Sequence, residues 1–186
     1  MDVTETLYVR NREEWRAWLG EHYKSASEIW LVSYLKKTGQ PSVPYNDAVE
    51  EALCFGWIDG IVKKLDEERY AQRYTPRKAR SGYSQTNRER LKKLIERGML
   101  MSEVLAGVDE IGLNDFENPE DIVAALQENE QVWENFQRYS ESYQRIRIAY
   151  IDVARGRPGE YEKRLAHLIK MTAQDKQFGR GIEGYY

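Results

Sequence analysis

FGWIDGIVKKLDEERYAQRYTPRKARSGYSQTNRER, residues 55–90, holds the densest structural and chemical signal in this chain. Trp57 to Leu65 and Arg69 to Thr75 are rich in β-branched and aromatic residues, and the polar Asp66-Glu67-Glu68 joins them. That spacing predicts a β-hairpin, and so a small sheet that is at least partly antiparallel. Pro76 ends the second strand, because proline has no N–H to give a ladder. Gly56 is a natural stop for a helix over 47–55, whose Ala48, Val49, Ala52, Leu53 and Phe55 share one face. Beyond the hairpin a basic loop, Arg77 to Tyr83, leads to Ser84, a good N-cap. Leu91, Leu94 and Ile95 then form a helical stripe that stops at Gly98.

Upstream, Leu7-Tyr8-Val9 reads as a short strand. Asn11 and Glu14 are spaced as an approximate capping box for a helix carrying Trp15, Trp18, Leu19 and His22. Glu28 to Leu35 reads as a strand, followed by a loop marked by Gly39, Pro41 and Pro44. Beyond residue 98 the pattern is helical. Pro119 and Pro158 stand at helix starts, and Tyr143, Ile146, Tyr150 and Val153 make a stripe between them. The chain is therefore expected to be α+β: a small, partly antiparallel sheet with packed helices, followed by a C-terminal helical segment. Its expected parts are a core over 1–112, a helical subdomain over 119–176 and a flexible tail over 177–186, which has three glycines.

A chain of 186 residues, 41% hydrophobic and 32% charged, suits a globular protein and not a disordered one. No apolar run is long enough to span a bilayer, and the acidic start lacks the features of a signal peptide. With a single cysteine, Cys54, no disulfide can close within the chain. These features together make the cytoplasm the expected compartment, with no membrane insertion. Cys54 falls on a crowded apolar helix face, where an inert thiol is expected. His22 and His167 have no second Cys or His at ligand spacing, so neither a metal nor another cofactor is expected.

The net charge is −3, yet Arg73 to Lys93 holds eight basic residues against the single acid Glu89. That island carries +7 and the rest of the chain −10, a distribution suited to a confined anion and not to a long polyanion. No nucleic-acid reading motif is visible, so specific nucleic-acid binding is not expected.

The island sits where a strand end, a loop and a helix start follow one another. The first turn of a helix offers unpaired N–H groups and a positive dipole end to an oxyanion. Arg73 and Arg77 would add forked donors; Thr75, Ser81, Ser84 and Asn87 would complete the cradle, and Trp57 and Tyr83 would line it. The alternative is an ordinary cap by Ser84 with solvated arginines. A second cluster gathers Tyr45, Asp47, Glu50, Glu51 and Asp59. Asp47 and Glu51 share a helix face, and Asp59 sits at a glycine-flanked corner from which it would orient Arg73 or Arg77. Asp59 and Glu51 are the candidates for acid or base chemistry, against the plainer reading that they form structural ion pairs.

The segments YNDAVEEALCFGWIDG (45–60) and QRYTPRKARSGYSQTNRERLKKLIERG (72–98) resemble the YdeI/OmpD-associated family, also called bacteriocin-protection proteins. The opening WRAWLGEHYKSASEIWLVSYLKKTG (15–39) is similar to that family's N-terminal helix and strand. The segment YSESYQRIRIAYIDVARGRPGEYEKRLAHLIKM (139–171) is similar to its C-terminal helical pair, so the resemblance extends over nearly all of the chain. Tyr83 and Tyr150 replace tryptophans common in the family, and Gly60 replaces a common serine. The family's names imply a stress-associated protein tolerant of bacteriocins or antimicrobial peptides, without implying a reaction.

Three functional readings follow. The chain binds a small phosphate-bearing anion or an acidic protein partner; it is an enzyme on a phosphorylated metabolite using Asp59 or Glu51; or it is a scaffold presenting Tyr143, Arg147 and Tyr150. The oligomeric state is open.

Overall fold

A computed structural model describes residues 2–78, 82–108, 113 and 115–185. The fold is α+β and divides into two compact units. The first comprises Met1–Gly82 with Arg90–Ile111, the second Tyr83–Glu89 with Gly112–Tyr186. The sequence-based division into 1–112 and 119–176 differs from this chiefly at Tyr83–Glu89, which clusters with the C-terminal unit.

In the N-terminal unit four strands lie in the order β1 (Thr6–Tyr8), β2 (Ile29–Tyr34), β4 (Arg69–Pro76), β3 (Trp57–Lys64). β1 runs parallel to β2 and the other two pairings are antiparallel, so the sheet is mixed. Helices α1 (Arg12–His22) and α2 (Tyr45–Cys54) pack on one face. Helical spacing aims Trp15 and Leu19 of α1, with Ala48, Val49, Ala52 and Leu53 of α2, into the core. The buried indoles also satisfy their polar tips: Trp15 Nε1 donates to the carbonyl of Ala48 at 3.0 Å and Trp57 Nε1 to that of Tyr23 at 3.1 Å. Asn11 caps α1 by accepting from the N–H of Glu14 at 2.9 Å. The Glu14 carboxylate accepts from the N–H of Arg10, one residue before the position a reciprocal capping box would use.

The hairpin contains a defect that sets the chemistry of its face. Near the turn, Lys64 faces Tyr70, Lys63 faces Ala71 and Val62 faces Gln72. An unbroken register would place Asp59 opposite Thr75. Instead Asp59 faces Tyr74, because a bulge lies between Asp59 and Val62. Gly60 sits in that bulge against Arg73, where an added Cβ would lie 3.4 Å from the Arg73 carbonyl oxygen. A one-residue slip exchanges the two faces of a strand. Asp59 is thereby turned to the helix-covered face, with Gln72 and Tyr74, and away from the face of Arg73 and Thr75.

α1 is tied to α2 by a buried carboxylate. Glu51 is 1% exposed and accepts from Arg12 Nε and Arg16 NH1, both at 2.5 Å. Arg12 also reaches Asp47 and Glu50 at 3.1 Å each. Burial works against the charge on both arginines, but the bonds to Glu51 outweigh it and raise their pKa.

Helix α3 (Gln85–Glu96) begins in the second unit's segment and ends in the first's. Ser84 caps it, its hydroxyl accepting from the N–H of Asn87 at 3.3 Å. A short helix, α4 (Ser102–Ala106), follows. The C-terminal unit is built on α5 (Glu120–Gln127), α6 (Glu130–Arg138), α7 (Glu141–Asp152) and α8 (Glu160–Ala173). Ile122, Leu126, Val132, Phe136, Ile151 and Leu168 form its main core. Glu89, at 1% exposed, accepts from Gln85, Ser142 and Arg145, which fastens the first turns of α3 to α7. Burial opposes the charge of Glu89, and these bonds more than compensate, lowering its pKa.

The segment after α8, expected from its glycines to be a flexible tail, is packed instead. Ile182 and Tyr185 are buried in a cluster with Tyr143 and Ile146. The Tyr143 hydroxyl accepts from the N–H of Phe178 at 3.0 Å, and Ser140 donates to the carbonyl of Tyr185. The apolar side chains outweigh the flexibility of Gly179 and Gly181, which take the positive φ the turn requires.

Two outcomes follow from these contacts. Glu51→Gln should destabilise the chain by about 3 kcal/mol in urea unfolding, the low end for breaking a buried pair because both arginines keep partial access to water. Truncation after Lys176 should cost about 3 kcal/mol by exposing the faces that Ile182 and Tyr185 cover, lowering the urea midpoint.

Candidate functional site

On the helix-covered face of the N-terminal unit the bulge brings together a polar group at the β3–β4 end of the sheet. Asp59 Oδ2 accepts from the Tyr45 hydroxyl at 3.2 Å and from Gln72 Nε2 at 3.0 Å. Both donors are neutral. Asp59 is half-buried, whereas Tyr45 is 42% exposed and forms the solvent side of the cluster. Arg90, from α3, is buried; its NH2 donates to Asn46 Oδ1 at 2.9 Å and its guanidinium lies 5.9 Å from the Tyr45 ring centre.

Tyr74 completes the group. It is 1% exposed, and its ring packs 5.2 Å from that of Trp15. Its hydroxyl is buried with no hydrogen-bond partner among the described residues. Burial raises its pKa well above the ordinary phenol value, and the neighbouring Asp59 carboxylate raises it further, so the proton stays on. A buried hydroxyl without a partner carries a desolvation penalty of about 1–3 kcal/mol, which makes it a donor poised for an acceptor.

The residues expected from the sequence are distributed differently from the single cradle foreseen for them. Arg73 donates through Nε (2.7 Å) and NH2 to Glu28 Oε2, and it is this ion pair, not Asp59, that fixes its guanidinium. The bulge is the physical reason, since it parts the faces on which Asp59 and Arg73 stand. Thr75 lies on the Arg73 face, opposite Ile58. Asp59 makes no bond to Arg77 either; the Arg77 N–H donates to the carbonyl of Gly56 at 2.9 Å, which closes the corner before β3. Trp57 is 1% exposed, edge-on to Trp18 at 5.9 Å, and serves the core instead of lining a ligand surface. Ser81 lies outside the described residues. Tyr83, Ser84 and Asn87 belong to the second unit; Tyr83 and Asn87 are buried, and Ser84 is exposed at the helix cap.

Glu51, the other acid–base candidate, is held between two guanidinium groups, the arrangement of a structural ion pair and not of a proton carrier. Cys54 is fully buried, and burial followed by the nearby Glu51 charge pushes its thiol up to about 11. It has the character of an inert core residue. Of the three residues expected to form a presenting surface on α7, Tyr143 and Arg147 are buried and only Tyr150, at 44% exposed, faces outward. Of the stripe, Tyr143 and Ile146 are core, packed with Ile182 and Tyr185 of the C-terminal segment, while Tyr150 and Val153 are exposed.

Gln72, Tyr74, Arg90 and Asn46 were not singled out by motif. The signal that points to them is the parity of β4, which places 72 and 74 on one face, together with the register that sets Asp59 opposite Tyr74.

Residues 7–107 match the model of a domain of unknown function (DUF8412). Residues 115–175 match the model of the bacteriocin-protection, YdeI or OmpD-associated family. No curated protein and no solved structure matches the chain. The resemblance expected over nearly the whole chain is thus matched on the C-terminal helices. The motifs at 45–60 and 72–98, which hold Tyr45, Asp59 and Tyr74, fall in the other match. Among the described residues no helix is long and apolar enough to cross a membrane. The chain belongs to the DUF8412 domain family, with the bacteriocin-protection, YdeI- or OmpD-associated family matched over its C-terminal helices.

Proposed function

We propose that this chain is a binding protein for a small anionic molecule, taken up in the N-terminal unit by Tyr74 and Arg90, with Tyr45 as the wall that admits it. The observation that carries this reading is the Tyr74 hydroxyl, fully buried, protonated and without a partner among the described residues. A phosphate or carboxylate oxygen is the strongest acceptor such a donor can meet. A buried guanidinium, that of Arg90, places positive charge in the same cluster. Asp59 and Gln72 hold the Tyr45 side in place. The expected phosphate-bearing ligand is retained, but its seat moves from the Arg73 face to the Tyr74 face of the hairpin. The bacteriocin-protection name of the model matching 115–175 favours a role in antimicrobial tolerance, with ligand binding as its sensory or buffering step.

Tyr74→Phe tests the reading directly. The substitution removes one oxygen from a site where it makes no bond to the described residues, so the unliganded protein should be equally stable or more stable by about 1 kcal/mol. In thermal-shift measurements with phosphate, sulfate, nucleotides and small carboxylates, the wild type should gain melting temperature with at least one anion class. Tyr74→Phe should lose that gain. A wild type that responds to no anion, or a variant that responds as well as the wild type, overturns the proposal.

A further inference from the structure

The cluster contains a carboxylate as well as donors, and this restricts which oxyanion it can take. We infer, resting on the binding reading above, that the ligand is inorganic phosphate, told apart from other anions by the hydroxyl proton it keeps and donates to Asp59. Asp59 and Tyr74 stand opposite one another in the β3–β4 register, on the helix-covered face. Their needs are complementary. The Tyr74 hydroxyl is a buried donor with no acceptor among the described residues, whereas a carboxylate can only accept. Asp59 takes both its bonds on Oδ2, from Tyr45 at 3.2 Å and Gln72 at 3.0 Å. Its Oδ1 accepts from no described residue and is not a buried atom, so it is open to solvent. The Tyr45 bond is long for one between oxygens, so a ligand that moves this exposed ring aside takes only a weak donor from Asp59.

An oxyanion that reaches Tyr74 comes beside Asp59. Sulfate offers Tyr74 an acceptor but presents only lone pairs and like charge to the carboxylate, which repel in a partly desolvated place. Hydrogen phosphate has nearly the same shape and the same charge, with one difference: one of its oxygens holds a proton. Turned to Asp59, that oxygen donates a charge-assisted hydrogen bond while a bare oxygen accepts from Tyr74. A site built to hold a hydroxyl rejects the analogue that lacks one, because its own polar group is then left facing an acceptor. Phosphomonoesters lose their last proton at about pH 6, so at higher pH they fall on the side of sulfate. The bulge is what makes this discrimination possible. In an unbroken register Asp59 would stand on the opposite face of the sheet, and the Tyr74 face would hold no carboxylate to read the proton.

Isothermal titration of the full chain at about pH 8 tests the inference, because there phosphate, sulfate and methyl phosphate are all chiefly dianions and only phosphate carries a proton. Phosphate should bind the wild type about tenfold more tightly or better than either of the others, the effect of one charge-assisted hydrogen bond. Asp59→Asn keeps the size of the side chain and adds an amide donor, so sulfate should gain affinity and the preference for phosphate should largely vanish. A gain of sulfate binding is not something a loosened fold would produce. Sulfate binding the wild type as tightly as phosphate overturns the inference while leaving the anion site standing, and so does an Asp59→Asn chain that keeps the whole preference. Methyl phosphate binding as tightly as phosphate also overturns it, and assigns the site to a phosphoryl group on a larger molecule. No binding of any of the three probes overturns the inference, and an anion panel that also raises no melting temperature removes the binding reading with it. The wild-type comparison decides even if Asp59→Asn folds poorly.

Discussion

One extra residue in β3 decides on which face of the hairpin Asp59 stands, and with it the partners of the polar cluster. Because side chains alternate strictly along a strand, the bulge between Asp59 and Val62 changes the face on which Asp59 stands while leaving the hairpin paired on both sides of the defect. Without it, Asp59 would join Arg73 and Thr75, and Tyr74 would lose the carboxylate opposite it. The local cost is low because Gly60 has no side chain to press on the Arg73 backbone. The hairpin thus keeps a carboxylate, a phenol and an amide on the covered face, and an ion pair between Arg73 and Glu28 on the other.

The basic residues that stand out in the sequence do different work at different positions. Arg73 answers Glu28, and Arg88 reaches the carbonyl of Asp115. Arg90 enters the core of its unit instead of facing solvent. Elsewhere Arg12, Arg16 and Arg145 neutralise the carboxylates of Glu51 and Glu89, both 1% exposed. Buried acids held by partly exposed arginines fix helix pairs in one register, and a mismatched helix would leave a carboxylate uncompensated in a place water does not reach. A +7 segment therefore need not form a single cationic surface.

The fold was legible in the sequence wherever periodicity and capping chemistry speak for themselves. The hairpin, the Asn11 and Ser84 caps, the helix stop at Gly56 and the helix starts just after Pro119 and Pro158 all rest on local rules, although the last helix opens at Glu160 behind a Gly159 cap and not at Pro158 itself. The site was legible only in part. Asp59 stood out for its glycine-flanked corner, but its partners depend on a strand register that a bulge alters by one residue, and Gly60 alone does not announce a bulge. Tyr74 and Gln72 looked like ordinary strand residues, because burial and lack of a partner are properties of the packed chain. The C-terminal segment escaped for the opposite reason: three glycines suggested mobility, while Ile182 and Tyr185, each too isolated for a periodic stripe, anchor it.

The aromatic arrangement has a use beyond packing. Trp15, Trp18, Trp30 and Trp57 all lie in the N-terminal unit, whereas Trp133 lies in the C-terminal one. Trp15 and Trp18 stack with ring centres 5.5 Å apart and planes 11° from parallel, and Trp15 also touches Tyr74. Indoles so close couple in the near ultraviolet, so the dichroism of this chain should carry a contribution specific to the unit that holds the polar cluster. The protein carries an intrinsic optical reporter within one ring of the Tyr74 hydroxyl, and its signal can be followed without attaching a label.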